Sequence, residues 1–263
     1  MVFFEVRDLT ISFGGLRALN RVSFGVEEGS IYAIIGPNGA GKTTIFNCAN
    51  AIYRPDEGQI RFMGQEITHL RSDRIAGKGI ARTFQNIELF SRMTTMDNLM
   101  LGRHCHLKTG IWTGATLLRR GSFAAREEVA HRKRVERIID FLDLQSARDQ
   151  LVSNLPYGTQ KRVELGRALA MEPRLLLLDE PSAGMNLEEK GDLVFWIKDI
   201  REDLGITVLL VEHDMTMVMD ISDRILVLNH GEVITEGPPD EVQKDPEVIR
   251  AYLGEEEEER DAP

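Results

Sequence analysis

Cysteine is almost missing from this chain: Cys48 and Cys105 are the only two among 263 residues. Two cysteines make no disulfide framework, so a reducing compartment fits. Long apolar runs are missing as well. The longest, at 175–178 and 208–211, fall far short of the about 20 residues needed to cross a bilayer. Residues 1–7 show no basic start followed by an apolar stretch, and no signal peptide is expected. A basic surplus is also lacking. The formal net charge is −10, and the tail Glu255 to Glu259 with Asp261, offset by Arg260, supplies half of it. An acidic balance argues against a general nucleic-acid-binding surface. No internal repeat or heptad array is visible, and the acidic tail is expected to be disordered. What remains is 42% hydrophobic residues, enough for a substantial core in one large domain or two unequal lobes. Such a chain is soluble, or is held to a membrane by a partner.

Among what is present, residues 36–43 stand out. They read Gly36-Pro37-Asn38-Gly39-Ala40-Gly41-Lys42-Thr43 and fit the phosphate-loop pattern at every fixed position. The flanks agree. Residues 30–35 read as a buried strand and residues 42–50 as the start of a helix. Glycines let such a loop bend so that backbone N–H groups point at a phosphate chain, and the helix N-terminus adds its positive dipole end. Lys42 is placed for the β- and γ-phosphates of a nucleotide, and the Thr43 hydroxyl for Mg²⁺. Thr44 continues the same turn.

The rest of the chain divides by pattern. Strands are expected at 3–11 and 22–26, broken by Gly14-Gly15 and Glu28-Gly29, and a short one at 59–62 after the turn 54–58. Residues 97–153 hold no convincing strand. There, 122–144 carries Val129, Val135, Ile138, Ile139 and Leu142 at near-helical spacing. Strand and helix then alternate at 174–178, 188–204, 207–212, 215–221 and 224–229, which implies a parallel sheet covered on both faces. The expected fold class is α/β: a P-loop NTPase core with a mostly parallel sheet, an N-terminal antiparallel β portion and an inserted α-helical subdomain. The expected boundaries are 1–96 for the nucleotide-binding lobe, 97–170 for the helical subdomain, 171–254 for the rest of the lobe, and 255–263 for the tail.

Leu175-Leu176-Leu177-Leu178-Asp179-Glu180 reads as a buried strand that delivers two carboxylates at its C-terminal end, where α/β folds place ligands. Asp179 suits Mg²⁺. Glu180 points elsewhere and suits the polarisation of a water.

With these motifs in place, the chain resembles the ATP-binding subunit of an ABC (ATP-binding cassette) transporter over about residues 3–253. Phe13 stands where that family has an aromatic that stacks on adenine. Gln85, in Thr83-Phe84-Gln85, matches the Q-loop glutamine. Residues 155–160 match the signature segment, with Gly158 inside it. Residues 182–186 match the D-loop, and His213 matches the switch histidine. The resemblance is closest to the ATPase subunits of branched-chain amino acid importers. It is carried by Leu155-Pro156-Tyr157-Gly158, Val211-Glu212-His213-Asp214-Met215, Ile221-Ser222-Asp223-Arg224, residues 249–254, and the insertion Leu107-Lys108-Thr109-Gly110.

The resemblance implies ATP and Mg²⁺ as cofactors. It implies Glu180, His213 and Gln85 as catalytic residues, Thr43, Gln85 and Asp179 as metal ligands, and residues 36–44 with Phe13 and Gly158 as nucleotide contacts. It further implies transmembrane permease subunits and a second ATP-binding subunit, identical or related, paired head to tail at the cytoplasmic face of the membrane. No nucleic-acid partner is expected. An ATPase of a lipid or lipopolysaccharide exporter, a soluble ABC ATPase, and a P-loop kinase or GTPase are the alternatives. The signature and switch histidine weigh against the last, and a single cassette without a coiled-coil insertion against the second.

Two positions depart from the family pattern. Pro156 replaces the usual signature serine, so the hydroxyl contact to the γ-phosphate cannot form, although proline suits a first helical turn. Asn186 stands where many members have aspartate. Three clusters take plainer readings. His104-Cys105-His106 are adjacent and do not converge on one ion. Arg126, Arg132, Lys133, Arg134 and Arg137 form a solvated helix face. Met215, Met217 and Met219 serve packing. Asp214 is the expected cap of the helix after His213.

Overall fold

The computed structural model describes residues 2–106 and 123–252. The insertion at 107–110, the tail at 255–263 and the end of the 249–254 segment lie outside the described residues. Two sheets carry the fold. The first is antiparallel and is built from β1 (Val2–Phe13), β2 (Leu16–Glu27), β4 (Glu57–Phe62) and β5 (Gln65–Glu66) in the order β2-β1-β4-β5. Gly14 and Gly15, with φ of 56° and 90°, make the two-residue turn that joins β1 to β2. A positive φ at both central residues is what matches a tight hairpin to the strand twist.

The second sheet has six strands: β3 (Ile31–Ile35), β6 (Ile80–Arg82), β7 (Leu175–Asp179), β8 (Thr207–Val211), β9 (Arg224–Asn229) and β10 (Glu232–Gly237). Their order is β10-β9-β3-β8-β7-β6, with β10 antiparallel and the others parallel. Every residue of β3, β7 and β8 is buried, which is why these strands read as unbroken apolar runs. Alternate residues serve opposite faces. Leu175, Leu177, Leu209 and Val211 join the core shared with the antiparallel sheet. Leu176, Leu178, Val208 and Leu210 join a second core. Ala33, Ile35, Ile225 and Val227 pack on a third.

The helices are α1 (Lys42–Ala49), α2 (Ser72–Gly77), α3 (Thr95–Gly102), α4 (Phe123–Phe141), α5 (Tyr157–Leu169), α6 (Leu187–Glu202), α7 (Met215–Ile221) and α8 (Pro239–Val242). The antiparallel portion, the mostly parallel sheet and the helical segment match expectation. Leu99 of α3, Val135 and Ile139 of α4, and Val163 of α5 share the second core with the sheet, so among the described residues the helical segment packs as part of that core.

Two expectations need correction. Val129 is 54% exposed, and the buried side of α4 begins only at His131. Pro156 sits one residue earlier than expected, as the N-cap of α5 rather than in its first turn. The elements α2, β5, β6, α8 and β10 lacked a sequence signal. Asp214 does cap α7, accepting from the Met217 amide, and a hydrogen bond from Lys190 holds its carboxyl below the usual carboxylate range. Cys48 is buried in α1 and Cys105 is exposed in the turn after α3; both are free thiols.

Candidate functional site

Four adjacent strands end along one edge of the parallel sheet, and each releases a segment of the site. Residues 36–41 follow β3, His213 follows β8 after Glu212, Asp179 and Glu180 close β7, and Gln85 follows β6. Strand pairing aligns these ends: Asp179 pairs with Val211, Ile34 with Val211, and Arg82 with Leu177. Ligands collect at this edge of an open α/β sheet.

Asn38 to Thr44, Gln85, Glu180 and His213 line a common cleft of about 270 Å³. The loop that forms its base needs its glycines. A Cβ on Gly36 (φ 146°) would sit 2.1 Å from the Leu228 carbonyl oxygen, and one on Gly41 (φ 104°) 2.7 Å from that of Ala18. Lys42 is buried, and its Nζ donates to the carbonyls of Gly36 (2.5 Å) and Pro37 (2.8 Å). A cation is therefore folded inside the loop, at the start of α1.

Glu180 faces this loop with both carboxylate oxygens engaged. Gln85 Nε2 donates to Oε2 at 2.7 Å, and His213 Nε2 lies 2.7 Å from Oε1. The backbone at Glu180 has φ of 48°, an uncommon conformation for glutamate. Its amide donates to the Val211 carbonyl, which anchors it to the sheet edge. Such a placement costs about 1–3 kcal/mol and persists where the surroundings over-determine it.

Asp179 lies behind the cleft, 1% exposed. Its Oδ2 accepts from Arg82 at 2.6 Å, while its buried Oδ1 has no partner among the described residues. Burial raises the Asp179 carboxyl from its ordinary value, and Arg82 works against that rise. Asp179, Thr43 and Gln85 each offer an oxygen, the donor type that suits a small hard cation such as Mg²⁺.

Two expected contacts stand apart from the cleft. Phe13 is 44% exposed at the end of β1, edge-on to Tyr53 with ring centroids 5.0 Å apart. Its ring is thus supported on one side and free to stack on another. Gly158 is buried at the start of α5, where a Cβ would lie 2.0 Å from Glu189 Oε1. Glycine here lets the start of α6 approach. Asn186, the departure in the 182–186 segment, caps α6 in a reciprocal box with Glu189. The amide suits that cap as well as an aspartate would.

Four charged residues around the site have roles that the sequence did not signal. Buried Glu212 accepts from the amides of Ser182, His213 and Asp214, and so ties the 182–186 segment to the His213 turn. Lys161 and Glu164 of α5 grip the Gln85 segment: Lys161 Nζ donates to the Gln85 carbonyl at 2.8 Å, and Glu164 accepts from the amides of Phe84 and Glu88. Burial pushes the Lys161 ammonium down and the Glu164 carboxyl up. Arg82 is the fourth.

Comparison with known proteins agrees with this geometry. The profile of the family described as ABC transporter matches residues 19–183, and that of the branched-chain amino acid ATP-binding cassette transporter matches residues 232–258. The high-affinity branched-chain amino acid transport ATP-binding protein BraF of Pseudomonas aeruginosa is 44% identical over 254 residues, 95% of this chain and 97% of that protein. The crystal structure of the ADP conformation of MJ1267, an ATP-binding cassette of an ABC transporter, superposes with a TM-score of 0.83 at 30% identity, covering 97% of this chain and 99% of that one. The ATP-binding cassette MJ0796, solved as a dimer bound to ADP and phosphate, gives 0.75 at 25% identity, covering 90% and 99%.

Proposed function

The chain belongs to the ABC transporter family, and from that membership we propose that it is the ATP-hydrolysing subunit that powers uptake of branched-chain amino acids through separate permease subunits. The observation that carries the ATPase reading is the cleft in which Glu180, held between Gln85 and His213, faces the phosphate loop. The match at residues 232–258 and the identity to BraF support the substrate class. Among the described residues no helix is long and apolar enough to cross a membrane. In this reading the permease subunits hold the chain at the cytoplasmic face, where ATP is found.

The chemistry follows from side-chain placement. The amides of 38–44 and Lys42 bind the phosphates of ATP, and Phe13 stacks on its base. Glu180 orients a water for in-line attack on the γ-phosphorus and takes its proton as the bond to ADP breaks. Gln85 and His213 hold the Glu180 carboxylate, and on ATP binding His213 Nε2 exchanges Glu180 for the γ-phosphate as its acceptor. Thr43, Gln85 and Asp179 would hold Mg²⁺ together with ATP, and the ion would neutralise charge on the β- and γ-phosphates. A second ATP-binding subunit, paired head to tail, completes each site with its signature segment.

Phe13→Ala should weaken ATP and ADP binding by the same factor, about 1–3 kcal/mol, because stacking ignores the γ-phosphate. Calorimetry that finds ADP unaffected removes the stacking role. The Pro156 departure predicts a weak pair. The N-cap of α5 offers no side-chain hydrogen bond. Pro156→Ser in a Glu180→Gln background should therefore favour the ATP-bound dimer by about 1.5–3 kcal/mol, the range for a hydrogen bond to a charged group. A serine here can cap α5 through its oxygen and still donate its proton to phosphate. Sedimentation with ATP compares the two proteins, and an unchanged dimer shows that backbone amides already suffice.

The test of the whole reading is reconstitution. The chain, purified with its membrane subunits in proteoliposomes, should drive ATP-dependent uptake of leucine, isoleucine or valine. Lipid movement in place of amino acid uptake would transfer the chain to the exporter class.

A further inference from the structure

Arg82, the last residue of β6, has a side chain only 5% exposed. Its guanidinium spreads over three segments. Nη1 donates to Asn47 Oδ1 at 2.7 Å, and Nη2 donates to Asp179 Oδ2 at 2.6 Å. The group also lies over the rings of Phe46 and Phe84, 5.5 Å and 5.0 Å from their centroids. Phe46 and Asn47 belong to α1, Asp179 ends β7, and Phe84 precedes Gln85.

Each of these segments carries one of the three oxygen donors assigned to Mg²⁺. Thr43 lies one helical turn before Asn47, on the same side of α1. Asp179 is itself a donor; Arg82 takes its Oδ2, and its Oδ1 has no partner among the described residues. Gln85 adjoins Phe84. A planar fork stacked on aromatic rings fixes direction as well as charge, which the point charge of lysine does not.

We propose that Arg82 is a positioning residue for the metal: it sets the spacing of Thr43, Asp179 and Gln85 and decides which oxygen of Asp179 stays open. The inference rests on the ATPase reading above. The competing role is purely structural, in which Arg82 only neutralises a buried carboxylate.

The two roles separate in nucleotide binding, without turnover. ATP affinity is measured by calorimetry with Mg²⁺ and with EDTA, for the wild type, Arg82→Lys, Arg82→Met and Asn47→Ala. The ratio of the two affinities reads the contribution of the metal. In Arg82→Met the ratio should fall by about 10–100-fold, the usual loss when a partner that orients a metal ligand is removed. Affinity in EDTA should hold. Arg82→Lys should not restore the ratio, and Asn47→Ala, which frees only the α1 arm, should lower it by less. A wild-type ratio in Arg82→Met overturns the proposal. If that variant fails to fold, Asn47→Ala decides alone, and an unchanged ratio there overturns it equally. A wild-type chain that binds no ATP in either condition strikes at the ATPase reading instead.

Discussion

Glu180→Gln should slow ATP turnover by about 10²–10⁴-fold and leave nucleotide binding in place, the loss expected when a general base is removed. The geometry makes this substitution a clean probe. Both oxygens of Glu180 are hydrogen-bonded, one to Gln85 and one to His213, and glutamine keeps the shape that fills this place. What it loses is the ability to take a proton from water; its new NH₂ end can still donate to the His213 ring in the tautomer with Nε2 unprotonated. The strained backbone at residue 180, φ 48°, is unchanged by the swap, since both side chains are unbranched at Cβ and differ only in the terminal group. Phosphate release reports the rate. ATP should then trap a dimer visible by light scattering, because closure proceeds and hydrolysis does not. Near-normal turnover would take Glu180 out of the mechanism and pass the role to His213 or to the substrate itself.

Lys42→Ala should weaken Mg-ATP binding by about ten- to hundredfold, from the roughly 1.5–3 kcal/mol carried by a hydrogen bond to a charged group. Lys42 Nζ already sits inside the loop, on the carbonyls of Gly36 and Pro37. Those carbonyls lose their donor in the variant, so the loop loosens as well as losing its charge. Lys42→Arg keeps the charge, but its wide fork does not fit the position of a compact ammonium, and it should rescue binding poorly. Calorimetry measures the affinity, and a thermal melt confirms the fold. An unchanged dissociation constant for Lys42→Ala would exclude the lysine from the phosphate site.

The legible part of this molecule is the part written locally. The loop at 36–43 announces itself because glycine spacing, a buried strand and a helix start are all adjacent in sequence. The strands at 175–179 and 207–211 are legible because burial on both faces leaves no polar interruption. By contrast, β6 is three residues long between Gly79 and Thr83, too short for a pattern, yet it positions Arg82 and Gln85. Arg82, Lys161, Glu164 and Glu212 look like surface charges in the sequence. Only tertiary pairing shows that each is buried and tied to a site segment, since burial of a charge demands a partner far away in the chain. Val129 errs the other way, an apolar residue at helical spacing that faces out. Apolar residues are common on surfaces, so periodicity alone does not mark the start of a buried stripe.

The two free thiols have a practical consequence. Burial pushes the Cys48 thiol up to about 12, so it stays protonated and shielded against alkylating reagents near neutral pH. Cys105 is exposed, and burial of part of its side chain raises its thiol from the ordinary value. A maleimide fluorophore or spin label applied to the native sequence should therefore attach at one place, beside α3, with attachment speeding up above neutral pH. In a pair of these chains the two labels report the separation of the helical segments during a cycle, with no engineered cysteine needed. Intact-mass measurement checks the stoichiometry, which should be one label per folded chain and two after denaturation.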